Sequence, residues 1–97
     1  MAELVQVGNQ WRVSGDVLIA DAQTLLTQSA ALPMEGEIEI DFSEVTDVDT
    51  VAISLMLEWQ RRANKAGSQI KFSHLPVNLI SLADLYGVTD FIVQSRH

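Results

Sequence analysis

The sequence predicts an α/β fold in a single domain: a mixed four-stranded sheet that opens with an N-terminal hairpin and carries its helices mainly on one face. Three observations predict it. After the hairpin, period-2 segments and i, i+3, i+4 segments alternate as strand, helix, strand, helix, the order of βαβ crossovers with parallel pairing. The strands alternate apolar and polar residues, whereas parallel strands covered on both faces run apolar throughout. One sheet face is therefore expected to stay comparatively polar. The chain has 97 residues, 47% of them hydrophobic, a length and composition that fit one core and one domain over 1–97.

Residues 4–7 and 10–13 read as short strands, with Trp11 and Val13 on one face of the second, and Gly8-Asn9 between them is a two-residue hairpin signal. Ser14-Gly15-Asp16 is expected to end the second strand. Asp21 can cap a helix with Ala22, Leu25, Leu26, Ser29 and Ala30 on its apolar stripe, and Pro33 stops it. Ile38, Ile40 and Phe42 then alternate with Glu37, Glu39 and Asp41, the pattern of a half-buried strand. The run 43–49 breaks that pattern and is expected to be a tight acidic turn leading to Thr50 at a helix N-terminus.

That helix continues to Gly67, a good C′ residue. Ile70 and Phe72 mark another strand. Asn78 is the expected N-cap of a last helix with Leu79, Leu82, Ala83 and Tyr86 on one stripe, closed by Gly87, and 88–93 form a short apolar tail. No repeat, low-complexity segment or linker interrupts the order.

Composition excludes several classes. Cysteine is absent, which removes disulfides, thiolate metal sites and cysteine nucleophiles. Thirteen acidic residues against 6 basic give a net charge of −7, the wrong sign for a nucleic-acid backbone or an anionic membrane surface. No charged-then-apolar leader is seen, and no apolar run approaches the roughly 18 residues of a membrane span. A cytoplasmic protein without direct membrane insertion is expected.

The long helix has two faces. At about 100° per residue, Ala52, Leu55, Met56, Trp59 and Ala63 form the core stripe. Thr50, Ile53, Ser54, Leu57, Arg61 and Asn64 fall on the opposite side, where Ile53 and Leu57 have no obvious place in the core. They are either isolated exposed apolar residues, common on any surface, or part of a partner-binding patch with Thr50 at its upper end. Thr50 itself suits an N-cap, worth about 0.5–2 kcal/mol over Ala, and a helix N-terminus also accepts a phosphate well. Asp47 and Asp49 beside it would repel a phosphate, and otherwise serve as turn or solvated loop residues.

Enzyme signals are weak. His74 and His97 are far apart, and no HExxH, GxSxG, Walker or GxGxxG pattern occurs. Asp41, Asp47 and Asp49 match no EF-hand spacing. No catalytic residue, cofactor or metal site is expected.

The run Ile40-Asp41-Phe42-Ser43-Glu44-Val45-Thr46-Asp47-Val48-Asp49-Thr50 resembles the hallmark of STAS domains, the family of anti-sigma factor antagonists and sulfate-transporter tails. In that family a strand of the form D-[FL]-S-x-V-x-x-[IV]-D-[ST] delivers a Ser or Thr to a helix N-terminus. The likeness extends loosely over the whole chain and implies a STAS-like fold. Within the family, the brief hairpin, the Asp49-Thr50 pair and the ending Leu82-Ala83-Asp84-Leu85-Tyr86-Gly87 look most like the small stand-alone STAS subunit of the Mla phospholipid-transport ABC system of Gram-negative bacteria.

That resemblance implies a non-catalytic cytoplasmic subunit, peripheral to the inner membrane through the transporter complex. It would bind the transporter's ATPase, support its assembly and activity, and so serve outer-membrane lipid asymmetry. Thr50 would lie at the contact, with Ile53, Ser54, Leu57 and Arg61 beside it and Asp47 and Asp49 flanking. The alternative within the family is an anti-sigma factor antagonist, partnered by an anti-sigma factor kinase and switched by phosphorylation at Thr50.

Overall fold

The hairpin forms where the sequence places it. Strands β1 (Glu3–Val7) and β2 (Gln10–Val17) pair antiparallel, with Val7 opposite Gln10 across Gly8-Asn9. The computed structural model describes residues 2–88. A short 3₁₀ turn (Ile19–Asp21) and helix α1 (Ala22–Ala30) lead to β3 (Glu37–Val48), then come α2 (Val51–Ala66), β4 (Gln69–Ser73) and α3 (Val77–Leu85). The sheet order is β1-β2-β3-β4, with β2/β3 and β3/β4 parallel. Right-handed crossovers that step the same way across a sheet lay their helices on one face. The apolar tail expected over 88–93 lies, beyond Val88, outside the described residues, as does His97.

Alternation decides which face is covered. Trp11, Val13, Ile38, Ile40, Phe42, Ile70 and Phe72 are all buried with Ala52, Leu55, Met56, Trp59 and Ala63 of α2 in one core. Trp11 and Trp59 meet edge to face, centroids 6.1 Å apart and planes at 90°. Their indole nitrogens are buried without a hydrogen-bond partner, so packing and ring geometry hold the pair. Phe42 and Phe72 repeat the arrangement at 6.2 Å. Glu39 and Asp41 point to the opposite, polar face.

Two strands outrun their expected ends. Ser14-Gly15-Asp16 does not stop β2, because Gly15, at φ +82°, carries the chain through a register shift between Gly15 and Asp16. The left-handed conformation suits glycine, and bulges of this kind bend a strand without ending it. Correspondingly, 43–48 is not a turn but the continuation of β3, with Val45 opposite Gly15 and Val48 opposite Val17. β4 pairs β3 only as far as Asp41. The far half of β3 is therefore bordered on one side alone, and polar residues are tolerated there.

The helices differ from expectation at their ends. Asp21 makes no side-chain cap to α1. Its carboxylate accepts the N–H groups of Leu18 at 3.3 Å and Ala2 at 3.4 Å. Leu25 and Ser29 are buried, while Ala30 is exposed. Gln28 Oε1 accepts the Leu4 N–H at 3.1 Å, so α1 blunts the free edge of β1. Edge strands otherwise invite pairing with another chain. At the end of α2, Gly67 takes φ +73° and Ser68 N–H reaches the Ala63 carbonyl at 2.8 Å, a Schellman closure. Asn78 is not the N-cap of α3. Pro76 holds that position in an extended conformation, φ −59° and ψ 148°, and its carbonyl accepts the N–H groups of Leu79 and Ile80 at 3.0 and 3.1 Å. Leu79 and Ala83 are buried, but Tyr86 is 58% exposed rather than part of the core stripe.

Candidate partner-binding site

Asp49 builds the start of α2. Its N–H donates to the Val17 carbonyl at 3.2 Å, tying the chain to the end of β2. Its Oδ1 accepts the Val51 N–H and its Oδ2 the Ile19 N–H, both at 2.9 Å. The cap is therefore supplied by Asp49 and not by Thr50. Thr50 already has helical dihedrals, φ −62° and ψ −19°, and makes no side-chain capping bond. Ncap side chains reach back to N–H groups from an extended backbone. Thr50, already helical, is exposed.

Asp49 is thus a structural clamp, where a turn or solvated loop residue was expected. Asp47 is exposed and its Oδ1 accepts its neighbour's N–H, that of Val48, at 2.9 Å.

The predicted surface residues are partly brought together. Thr50, Ile53, Ser54 and Leu57 line one groove of about 500 Å³ with Ile19, Val51, Tyr86 and Val88. Ile53 is a correction: it is 6% exposed and belongs to the core. Helix α3 packs along that flank of α2, which widens the buried stripe beyond the five positions read from periodicity. Leu57 is half-buried against the same core. Arg61 lies outside the groove lining. It is exposed and pairs with Glu58, Nη2 to Oε2 at 2.6 Å, and this bond lowers the Glu58 pKa. Exposed pairs of this kind contribute little to stability.

Sequence reasoning missed four residues of the groove: Ile19, Val51, Tyr86 and Val88. Ile19 is 78% exposed at the tip of the 3₁₀ turn. Its only sequence signal was a bulky apolar residue off both the β2 and the α1 patterns. Tyr86 was assigned to the core by spacing that ends one residue too late.

Asp41, Asp47 and Asp49 do not converge. Among the described residues no group of three or more His, Asp or Glu side chains could share a metal ion. Asp41 belongs to a separate cluster on the polar face of the sheet. It is 5% exposed and accepts bonds from the Ser43 N–H at 2.9 Å and Ser43 hydroxyl at 3.0 Å. His74 Nδ1 stands 3.0 Å from its Oδ1, and Arg12 Nε is 3.9 Å from Oδ2. Burial pushes this carboxyl up, but the Ser43 bonds and the His74 ring together outweigh it and hold the pKa below its ordinary value. His74 itself has φ +55°, a left-handed position that His tolerates better than most side chains. No helix among the described residues is long and apolar enough to cross a membrane.

Comparison with known proteins adds to this geometry. Residues 5–94 match the family described as "Mlab, STAS domain". The fold resembles that of the anti-sigma factor antagonist SpoIIAA in its unphosphorylated form, with TM-score 0.72 and 11% identity over 100% of this chain and 90% of that one. It also resembles the phosphorylated form of SpoIIAA, the Bacillus cell fate determinant, at 0.59 and 13% over 100% and 93%. At these identities the likeness is one of fold. A search of curated proteins finds no match. The family match covers nearly the whole chain, and the chain belongs to the STAS domain family.

Proposed function

We propose that this chain is a non-catalytic STAS subunit that docks, through the surface around Thr50, on the ATPase of an ABC transporter for phospholipid trafficking. It would act in the cytoplasm at the inner membrane, supporting assembly and activity of the transporter and so outer-membrane lipid asymmetry. The observation that carries the reading is the groove itself. An exposed threonine stands beside Ile19 and Tyr86, which are 78% and 58% exposed, and beside half-buried Leu57. Clustered apolar exposure of this kind on a small protein marks an interaction surface. The family match, whose description carries the Mla name, supports the choice of partner.

Two observations favour the second reading, an anti-sigma factor antagonist. The fold likeness is to SpoIIAA in both phosphorylation states, and the uncapped Thr50 hydroxyl at the head of a 16-residue helix is open to a kinase. The test is co-expression of the tagged chain with the ABC ATPase, and separately incubation with an anti-sigma factor kinase and ATP. Stoichiometric co-elution with the ATPase, without phosphate on Thr50, is expected. Phosphorylation of Thr50 without ATPase binding would replace this reading by the second. Absence of both ATPase binding and Thr50 phosphorylation would overturn both readings.

A further inference from the structure

Ser54 lines two grooves. One is the Thr50 groove. The other runs between α1 and α2, has a volume of about 320 Å³, and is lined also by Ala22, Leu26, Val51, Leu55 and Glu58. Val51 and Ser54 are shared, so this edge of α2 is a ridge with a trough on each side. The crest is low because its exposed side chains, Thr50 and Ser54, are short. A flat partner would touch the crest and leave both troughs wet. An element with two apolar side chains can straddle Ser54 and fill both.

The end of the molecule that carries the ridge is anionic. Asp16 and Asp47 are register partners on β2 and β3, like charges side by side, an arrangement that costs stability. Asp84 precedes Tyr86 by two residues, and Glu58 borders the second trough. Among the described cations Arg61 answers this charge through its pair with Glu58, and Arg62, whose Nη1 reaches Ser29 Oγ on α1 at 3.4 Å, adds to it at Glu58. Asp16, Asp47 and Asp84 have no cation paired with them among the described residues. Arg12 and Lys71 pair with Asp41 and Glu37 on the sheet, and Lys65 lies in the last turn of α2.

We propose that the ridge and its two troughs form one seat for a protein element presenting two apolar side chains flanked by arginine or lysine. The inference rests on the Thr50 surface being a docking surface, and holds whichever protein supplies that element. The apolar pair provides the lasting contact, while the acidic rim steers encounter, so salt slows association more than it speeds release.

The test uses the full chain, ¹⁵N-labelled, and two synthetic amphipathic peptides with the same apolar face, one flanked by Arg and the other by Glu. The Arg-flanked peptide is expected to shift the amides of Ala22, Ser54 and Tyr86 together. It should bind about tenfold more weakly once salt shortens the screening length from roughly 10 Å to 3 Å. The Glu-flanked peptide should not bind. Asp47→Lys combined with Asp84→Lys, both at exposed positions, should reverse the preference. Equal binding of the two peptides, shifts confined to one trough, or no shift with either would overturn the proposal. An ATPase that fails to bind while the Arg-flanked peptide binds overturns the proposed function alone. An ATPase that binds with no sensitivity to salt or to the double reversal overturns this inference alone.

Discussion

Asp49 fastens Ile19 beside the head of α2: its Oδ2 accepts the Ile19 N–H at 2.9 Å while its Oδ1 accepts the Val51 N–H at the same distance. One carboxylate thereby places an apolar tip next to Thr50 and starts the helix. Asp49→Ala is expected to cost about 0.5–2 kcal/mol for the cap alone and to free Ile19 from the groove. Thr50→Ala, which removes no capping bond, should stay within about 0.5 kcal/mol of the parent. Urea unfolding of both variants checks this. Equal destabilisation by the two would return the cap to Thr50.

The polar face offers a pH prediction. The folded-state pKa of Asp41 is lowered. Its charged form therefore adds stability that is fully present above the unfolded value of about 3.9 and is lost as pH falls through the folded value. Asp41→Asn should destabilise at pH 7 by roughly 1–3 kcal/mol, as the Ser43 N–H and hydroxyl and the His74 ring lose a charged acceptor. The gap from the parent should narrow below about pH 4. A gap that stays constant down to pH 2.5 would remove the ionised carboxylate from the account.

Much of the fold was legible because the buried faces are strictly patterned. Ile38, Ile40 and Phe42 on β3, and Ala52, Leu55, Met56, Trp59 and Ala63 on α2, are buried as their spacing requires. What the pattern did not carry was pairing at a distance. Residues 43–48 look like a turn, and only β2 on the other side makes them strand. Ile53 looks superfluous until α3 arrives beside α2. Thr50 looks like the cap because its residue type fits, and the dihedrals that give that role to Asp49 have no local signature. The candidate site was half legible for the same reason. Thr50, Ser54 and Leu57 share a helix, whereas Ile19 and Tyr86 reach the groove from elements far away in sequence.

The paired indoles give a core prediction. Trp59 is fully buried and meets Trp11 at 6.1 Å. Trp59→Ala should cost about 3–5 kcal/mol, a large share of the stability of a small domain. Unfolding followed by circular dichroism, with Trp11 as the remaining fluorophore, measures it. A change below about 1 kcal/mol would mean that the ring is not packed as described.

The guarded edge of β1 gives another. Gln28→Ala removes the acceptor of the Leu4 N–H and should cost about 1 kcal/mol. It should also raise self-association through the newly open strand edge. Sedimentation velocity at increasing concentration would register it. A variant as monomeric as the parent would assign the edge's protection to something other than Gln28.

The central claim is that the Thr50 surface is buried against an ABC transporter ATPase, and the most direct measurement is the affinity of Thr50→Glu for that ATPase by titration calorimetry. A carboxylate is favoured at a helix N-terminus, so the isolated domain should keep its circular dichroism spectrum and melting point. In a desolvated contact the same carboxylate is an unpaired charge costing on the order of 3 kcal/mol or more, a loss of roughly 100-fold or greater in Kd. Leu57→Asp should behave alike. Folded Thr50→Glu and Leu57→Asp domains that bind the ATPase as tightly as the parent would contradict the account.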